Sequence, residues 1–543
     1  MIYFLLFFLN LKEGIIGAFH VSSEKETIEL FKDCGFNFAY IYGEKDTNKM
    51  KEIINAFKDN KISLIIDDPE ISGLASAYYF KTKIFNLPFY LFNDFVNFNF
   101  PAYRNTTFYF KIKGDRIKNQ LFLKRKKEKE EFFKVIIIDK DEITFSLKSE
   151  ELLNWEYLVF DLKEKKDVEF LELTIYTPFS DSLLKGYFDK IIEEKIKFYK
   201  RFLTKDFKIY LYLSDETKCF QYAATKYVKE KIESYSKNKI TGVSHLPTIT
   251  KDYVEKVRPA FLWVDIYHNI GRYADFNLPR TPNPDDTNFI NFLERILINN
   301  LDSVRKYSLV YNLPFIYEAP AFSEGCYLSE TILNSFPPYK KEWDDSVKSN
   351  SEDEGAYREL SEEELNCVVN LALLFGAKGI FYWHFLPLKG VWQFQYGENK
   401  GKYKYYYLNG MVKRESLELR PIGEVVKKIN KRLKNLLPLL VKLKSKEVFS
   451  SVGNGRIKEN SLSLFYTDYP FLHFGILENG EKYLMIVEKS CQKLTRKVKI
   501  YTKKKISLYE IIEKRRIFLK KEKDGYYFEI VIKGGEGKIL KIN

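Results

Sequence analysis

The sequence predicts an α/β chain: a (β/α)8 TIM barrel with a β-rich insertion after its third strand and a C-terminal β-sandwich. Three observations predict it. Strand-like apolar runs alternate with amphipathic helix patterns, the rhythm of a parallel sheet wrapped by helices. The runs are apolar throughout, as strands buried on both faces are. Two of them, Phe207–Leu213 leading into Ser214-Asp215-Glu216 and Leu313–Tyr317 leading into Glu318, end in carboxylates, and barrel strand ends are where the functional side chains of such a fold stand.

A chain of 543 residues is long enough for two or three domains. Hydrophobic content of 45% with 17% aromatics excludes wholesale disorder. The net charge of +14 raises the question of nucleic acid, but the lysines are interleaved with glutamates, as in Lys124-Arg-Lys-Lys-Glu-Lys-Glu-Glu131. No recognition-helix, RNA-binding or zinc-finger signature accompanies them. A solvated Lys/Glu surface is expected, with no nucleic-acid partner. Five cysteines without CxxC or Cys/His spacing make neither a disulfide framework nor a zinc site. No metal and no cofactor is expected.

The opening run Met1–Leu9 has the length of a signal peptide's apolar stretch and is too short to span a bilayer. It lacks a basic flank and a small-residue cleavage site, so it reads either as a truncated signal or as a lead-in to the first strand. A secreted or cell-envelope location is favoured over a cytoplasmic one, with no stable membrane insertion.

The elements follow in order. Gly14–Val21 reads as strand one, with Ser22 or Ser23 capping a helix through Cys34. Phe36–Tyr42 is strand two, 49–58 its helix, and Ile62–Asp67 strand three. Between about 85 and 178 the runs alternate between apolar and polar residues with charged turns between them, which predicts a small sandwich on the functional face. A helix over about 183–202 returns to the barrel and to strand four, Phe207–Leu213, followed by a helix over 219–236. Strand five (Ile240–His245) is weak. Strand six is Pro259–Tyr267, after a helix over 250–257. A helix over 288–306 leads to strand seven, 314–317. Ser361-Glu-Glu-Glu364 is a capping-box pattern opening a helix to Phe375, Gly379–His384 is strand eight, and 421–440 is the closing helix. Short alternating strands from about Glu447 make the C-terminal sandwich. The expected domains are therefore 14–84 with 183–445, the insertion 85–182, and 446–543.

Two acids on two strand ends of one barrel is the layout of a glycosidase. Glycoside cleavage needs a carboxylic acid to protonate the leaving oxygen and, in retaining enzymes, a carboxylate nucleophile on the opposite face. Glu216 is expected as acid/base and Glu318 as nucleophile; the competing reading makes Glu216 a helix N-terminal carboxylate and Glu318 a rim acid in an ion pair. Asp215, beside Glu216, opens a second route in which the Asp-Glu pair runs substrate-assisted hydrolysis and Glu318 is dispensable. Asp265 on strand six, Tyr267, His268, Trp383, His384 and His20 are candidates to bind the sugar, and Trp263 reads as core. There is no GxSxG, GxxxxGK[ST], HExxH or post-strand GxGxxG, which weighs against an esterase, an NTPase, a zincin and a dehydrogenase.

Leu211–Glu216 resembles the strand-four end of barrel glycosidases, and Val264-Asp-Ile-Tyr267 their strand-six D-x-Y. Arg358–Leu365 followed by Leu374–Trp383 resembles their strand-eight region, and Gly535–Lys541 is similar to the last strand of the sandwiches that follow such barrels. Together the chain resembles the (β/α)8 glycoside hydrolase superfamily over 14–84 and 183–543. The resemblance implies a carbohydrate substrate. Asn usually precedes the acid/base Glu in clan A; Asp215 stands there instead, which favours comparison with hexosaminidase-type Asp-Glu enzymes and leaves the exact family open. A non-catalytic carbohydrate-binding barrel is the reading outside enzymes.

Overall fold

The computed structural model describes residues 14–75, 82–85, 107–113, 119–126, 130–138, 142–148, 157–162, 169–176, 181–217, 221–266, 289, 293–329, 359–393, 403–413 and 416–543. Eight parallel strands close a barrel: β1 (Ile15–Ala18), β2 (Phe38–Tyr42), β3 (Ser63–Asp67), β4 (Ile209–Ser214), β5 (Gly242–Leu246), β6 (Leu262–Val264), β7 (Phe315–Pro320) and β8 (Gly379–Trp383). Each strand pairs with its sequence neighbours, and β1 pairs with β8 to complete the ring. The weak fifth strand is present, its Leu246 beside Val264 of β6.

The helices between the strands are α1 (Lys25–Asp33), α2 (Thr47–Asp59), α3 (Pro69–Ala75), α4 (Asp181–Lys200), α5 (Tyr222–Ser236), α6 (Lys251–Val257), α7 (Ile298–Tyr311), α8 (Glu362–Leu374) and α9 (Pro421–Leu440). Their starts follow local chemistry. Asp46 accepts from the N–H groups of Asn48 and Lys49 at the head of α2, and Ser361 and Glu364 form the reciprocal capping box of α8, each satisfying backbone donors that have no helical acceptor. The serine cap expected for α1 is not formed. Glu24 holds that position without a side-chain cap, and Ser22 Oγ instead accepts from the Glu24 N–H.

Inside the ring, Ile15, Phe19, Phe38, Tyr40, Ile65, Tyr210, Tyr212, Val243, Phe261, Trp263, Ile316 and Phe381 form a separate core. Alternate residues of each strand supply it, as period-2 geometry demands. Trp263 is 0% exposed, with its ring 4.9 Å from that of Phe381 and 5.4 Å from that of Phe19. It is core, as the sequence suggested. This plug fills the barrel, so polar side chains from the strand ends are confined to the mouth above it.

Strands Thr82–Phe85, Thr107–Lys113, Glu142–Lys148 and Glu169–Tyr176 form one antiparallel sheet, and Asn119–Lys126, Glu130–Ile138 and Tyr157–Leu162 another. Both belong to the β-rich insertion after β3. Segments that follow β7 and β8 pair over the mouth as a three-stranded antiparallel sheet of Ser323–Ser329, Leu388–Gln393 and Tyr403–Asn409. Beyond α9, a six-stranded and a four-stranded sheet face each other across an aliphatic and phenylalanine core. This sandwich seats on α8, where Asn370 Nδ2 donates to Gly535 O at 2.9 Å and Ser445 Oγ donates to Leu374 O at 2.8 Å.

Gly17 on β1 leaves room for the plug, because a Cβ there would lie 2.1 Å from Phe381 Cε2. Gly17→Ala should overpack the barrel and destabilise the chain by about 1–3 kcal/mol, read as a lower denaturant midpoint.

Candidate active site

The inward positions above the plug are polar. His245 extends from β5, Asp265 follows β6, Glu318 lies within β7, and Asp215 and Glu216 follow β4. The β4–β5 register shifts between Tyr212 and Ser214, an irregularity of the kind that re-aims side chains near active sites. Beyond it, Asp215 reaches His245 of β5.

His245 stands at the centre. Its Nε2 lies 2.5 Å from Asp215 Oδ1 and 3.9 Å from Asp265 Oδ2, and its Nδ1 lies 3.1 Å from Glu318 Oε2. The Tyr212 hydroxyl is 3.2 Å from Nε2 and donates to Asp215 Oδ1 at 3.4 Å. Burial by itself would lower the His245 pKa, but Glu318, Asp265 and Asp215 outweigh it and raise it well above the ordinary histidine value. Asp265 is raised as well, which for a carboxylic acid is a shift toward the neutral form. Burial raises its pKa well above the usual range, His245 opposes the rise, and Glu318 and Glu216 add to it. Glu216 thus acts on the same buried carboxyl as Glu318.

Glu216 is not the N-cap of α5, a position held by Gln221 before the first residue, Tyr222, and Glu216 has a left-handed backbone with φ +42. Lys237, Arg258 and Asn312 share positive φ as helix C-caps, a common and relaxed use of that conformation. His20 (φ +57) and Glu216 adopt it directly after barrel strands instead. Such strained residues collect at functional sites.

A second cluster lines the β1–β8 side. His20 packs against Trp383, His384 and Tyr42 with ring centroids 5.0, 5.4 and 5.4 Å away. The His384 Nδ1–H donates to Leu386 O at 2.5 Å, so its Nε2 carries a lone pair. That Nε2 and both His20 ring nitrogens are buried without a hydrogen-bond partner among the described residues. Desolvation keeps both rings neutral, lowering His20 to about 4 and His384 well below the ordinary value. On the adjoining strands, Tyr40 donates to Asp67 Oδ2 at 2.9 Å.

Most candidates named from the sequence therefore meet at one mouth: Asp215, Glu216, Asp265 and Glu318 on one side, His20, Trp383 and His384 on the other. Tyr267 and His268 lie outside the described residues. His245 was missed because its strand is short and weakly patterned. The signal that could have found it is a histidine ending the predicted strand next to the acid-tipped strand four. No group of three or more metal-ligating side chains is present among the described residues, and no helix among them is long and apolar enough to cross a membrane.

No family model matches the chain, and no curated protein matches it. Among solved structures it is similar to an α-amylase from Geobacillus thermoleovorans complexed with acarbose, at 10% identity over 98% of this chain and 99% of that one, with a TM-score of 0.39. A rhamnosidase from Novosphingobium sp. PP1Y gives 6% identity over 98% of this chain and 82% of that one, with a TM-score of 0.43. A Cryptosporidium parvum pyruvate kinase in complex with ADP also aligns, at 10% identity over 78% and 68% of the two chains, with a TM-score of 0.28. Glycoside hydrolases thus stand among distant likenesses that also include a kinase.

His20 binds fewer protons folded than unfolded between its ordinary value of 6.5 and about 4. Stability should therefore fall as pH drops through that window, by roughly 3 kcal/mol from this residue. In denaturation at pH 7 and pH 4, His20→Phe should lose less stability than the wild type by about that amount.

Proposed function

We propose that the chain is a glycoside hydrolase acting on oligo- or polysaccharides by a retaining, two-carboxylate mechanism. The observation that carries this reading is the cluster of Asp215, Glu216, Asp265 and Glu318 around His245 at the C-terminal mouth of the barrel. Carboxyl groups forced together in a dry site separate in proton affinity, which divides acid from base.

Glu318 is the proposed nucleophile. Its oxygen bonds to the anomeric carbon as the glycosidic C–O bond breaks, and Glu216 gives its proton to the departing oxygen. Glu216, now a carboxylate, takes a proton from water, which displaces Glu318 and releases the sugar. Asp265, whose pKa burial raises well above the usual carboxylate range, is suited to supply a hydrogen-bond donor. The neutral ring of His384 presents an acceptor, and Trp383 supplies an apolar face. An enzyme of this kind needs no cofactor or metal. The 85–182 insertion and the 446–543 sandwich are proposed as accessory domains.

Substrate-assisted hydrolysis through Asp215 and Glu216 is the competing mechanism. It requires Asp215 to face the substrate, whereas its Oδ1 is engaged by His245 and Tyr212; that contact favours the reading with Glu318. A binding protein without turnover is disfavoured by the burial of two carboxyl groups, Asp265 and Glu318, which costs stability that sugar binding alone does not require.

On a panel of aryl glycosides and oligosaccharides, Glu216→Gln should lose at least about 10²-fold in kcat. Glu318→Gln should abolish turnover with the fold intact. Retained activity in Glu318→Gln eliminates the nucleophile assignment and leaves the substrate-assisted route. Absence of turnover by the wild type across the panel eliminates both.

A further inference from the structure

One chain of contacts runs from solvent to the most enclosed acid of the site. The side chain of Asp215 is 78% exposed, that of His245 4% and that of Glu318 0%. Asp215 and Glu318 occupy opposite nitrogens of the same ring, at 2.5 and 3.1 Å. The Nε2 contact with Asp215 is a hydrogen bond, whereas the Nδ1 contact with Glu318 is at ion-pair distance without hydrogen-bond alignment; only the doubly protonated ring is a cation that attracts both carboxylates. The geometry is self-consistent for a cation.

The ring's other neighbours agree. From β4 the Tyr212 hydroxyl approaches Nε2, and after β6 Asp265 approaches the same nitrogen at 3.9 Å. Phe19 from β1 and Trp263 from β6 pack against the ring at 5.8 and 5.5 Å between centroids. Glu216 acts on Asp265, and the charged groups that act most strongly on His245 are the acids Glu318, Asp265 and Asp215. A cation beside acids and aromatic faces is what low-dielectric surroundings favour.

We propose that His245 is a positioning residue, a fixed imidazolium that keeps the buried Glu318 ionised and oriented while Asp215 anchors the ring from the solvent side. The role in turnover rests on the glycosidase reading; the charge on the ring does not. A fully enclosed carboxylate without an adjacent cation drifts toward its neutral form, and a protonated Glu318 is no nucleophile. Asp215 thereby gains a use other than catalysis, holding the ring through Nε2 so that Nδ1 faces Glu318.

The test uses the full chain labelled with 15N-histidine, with the His245 signals assigned by their loss in His245→Gln. At pH 7 both ring nitrogens should carry protons. A neutral single tautomer there overturns the proposal, whatever the enzyme's activity. In kinetics, His245→Gln should move the acidic limb of kcat/KM upward by about 1–3 pH units with a smaller change in KM; an unmoved limb also overturns it. Asp215→Asn provides a second variant if His245→Gln fails to fold: its ring should lose the extra proton at lower pH than in the wild type, and an unchanged titration counts against the anchor. An imidazolium signal in a chain that hydrolyses no glycoside supports the charge assignment and sinks only the glycosidase reading.

Discussion

The mouth of this barrel holds carboxyl groups in a place that water scarcely reaches, and one imidazole makes that arrangement tenable. Glu318 and Asp265 are both fully buried, and an isolated buried carboxylate costs several kcal/mol after relaxation. His245 contacts Glu318 directly and has Asp265 within 3.9 Å. The system settles by dividing the protons: the ring is driven to its charged form and Asp265 to its neutral one. The polar mouth is in this sense one electrostatic unit, contributed by β4, β5, β6 and β7 together.

The aromatic plug beneath enforces this division. Trp263, Phe381 and Phe19 fill the barrel axis, so the side chains one layer higher have no route downward and little water beside them. Closure of β1 onto β8 brings His20 and Trp383 to the same rim, although they are separated by most of the chain. The rim therefore has two unlike halves. One is acidic around a cation; the other is aromatic with neutral imidazoles whose nitrogens are unpartnered among the described residues. A polyhydroxylated ring, with apolar faces and hydroxyl edges, suits such a surface.

Much of the fold was legible because it depends on periodicity. Runs such as Ile209–Leu213 and Phe315–Tyr317 are apolar at every position, which fits a strand covered on both faces, and the capping box at Ser361 marks α8 by local chemistry alone. Helix starts set by tertiary context were less legible: Ser22 gave a plausible cap for α1, yet its hydroxyl accepts from the N–H of Glu24, which itself holds the cap position. The site was partly legible for the same reasons. Glu216 and Glu318 announce themselves as acids ending apolar runs. His245 does not, since its five-residue strand contains Gly242 and Ser244, and its role depends on a register shift in β4 that no sequence pattern encodes. Nor does the sequence reveal that Asp215 points toward β5 rather than toward a helix start.

The central claim is that Glu318 forms the covalent bond to the sugar, and it is tested most directly by trapping that bond. The protein would be incubated with a panel of activated 2-deoxy-2-fluoro glycosides, which form the glycosyl-enzyme but turn it over slowly, and then mapped by intact mass and peptide fragmentation. A single adduct on Glu318 is expected. An adduct on Glu216 or Asp215, or hydrolysis of the parent glycoside with no adduct on any carboxylate, would contradict it.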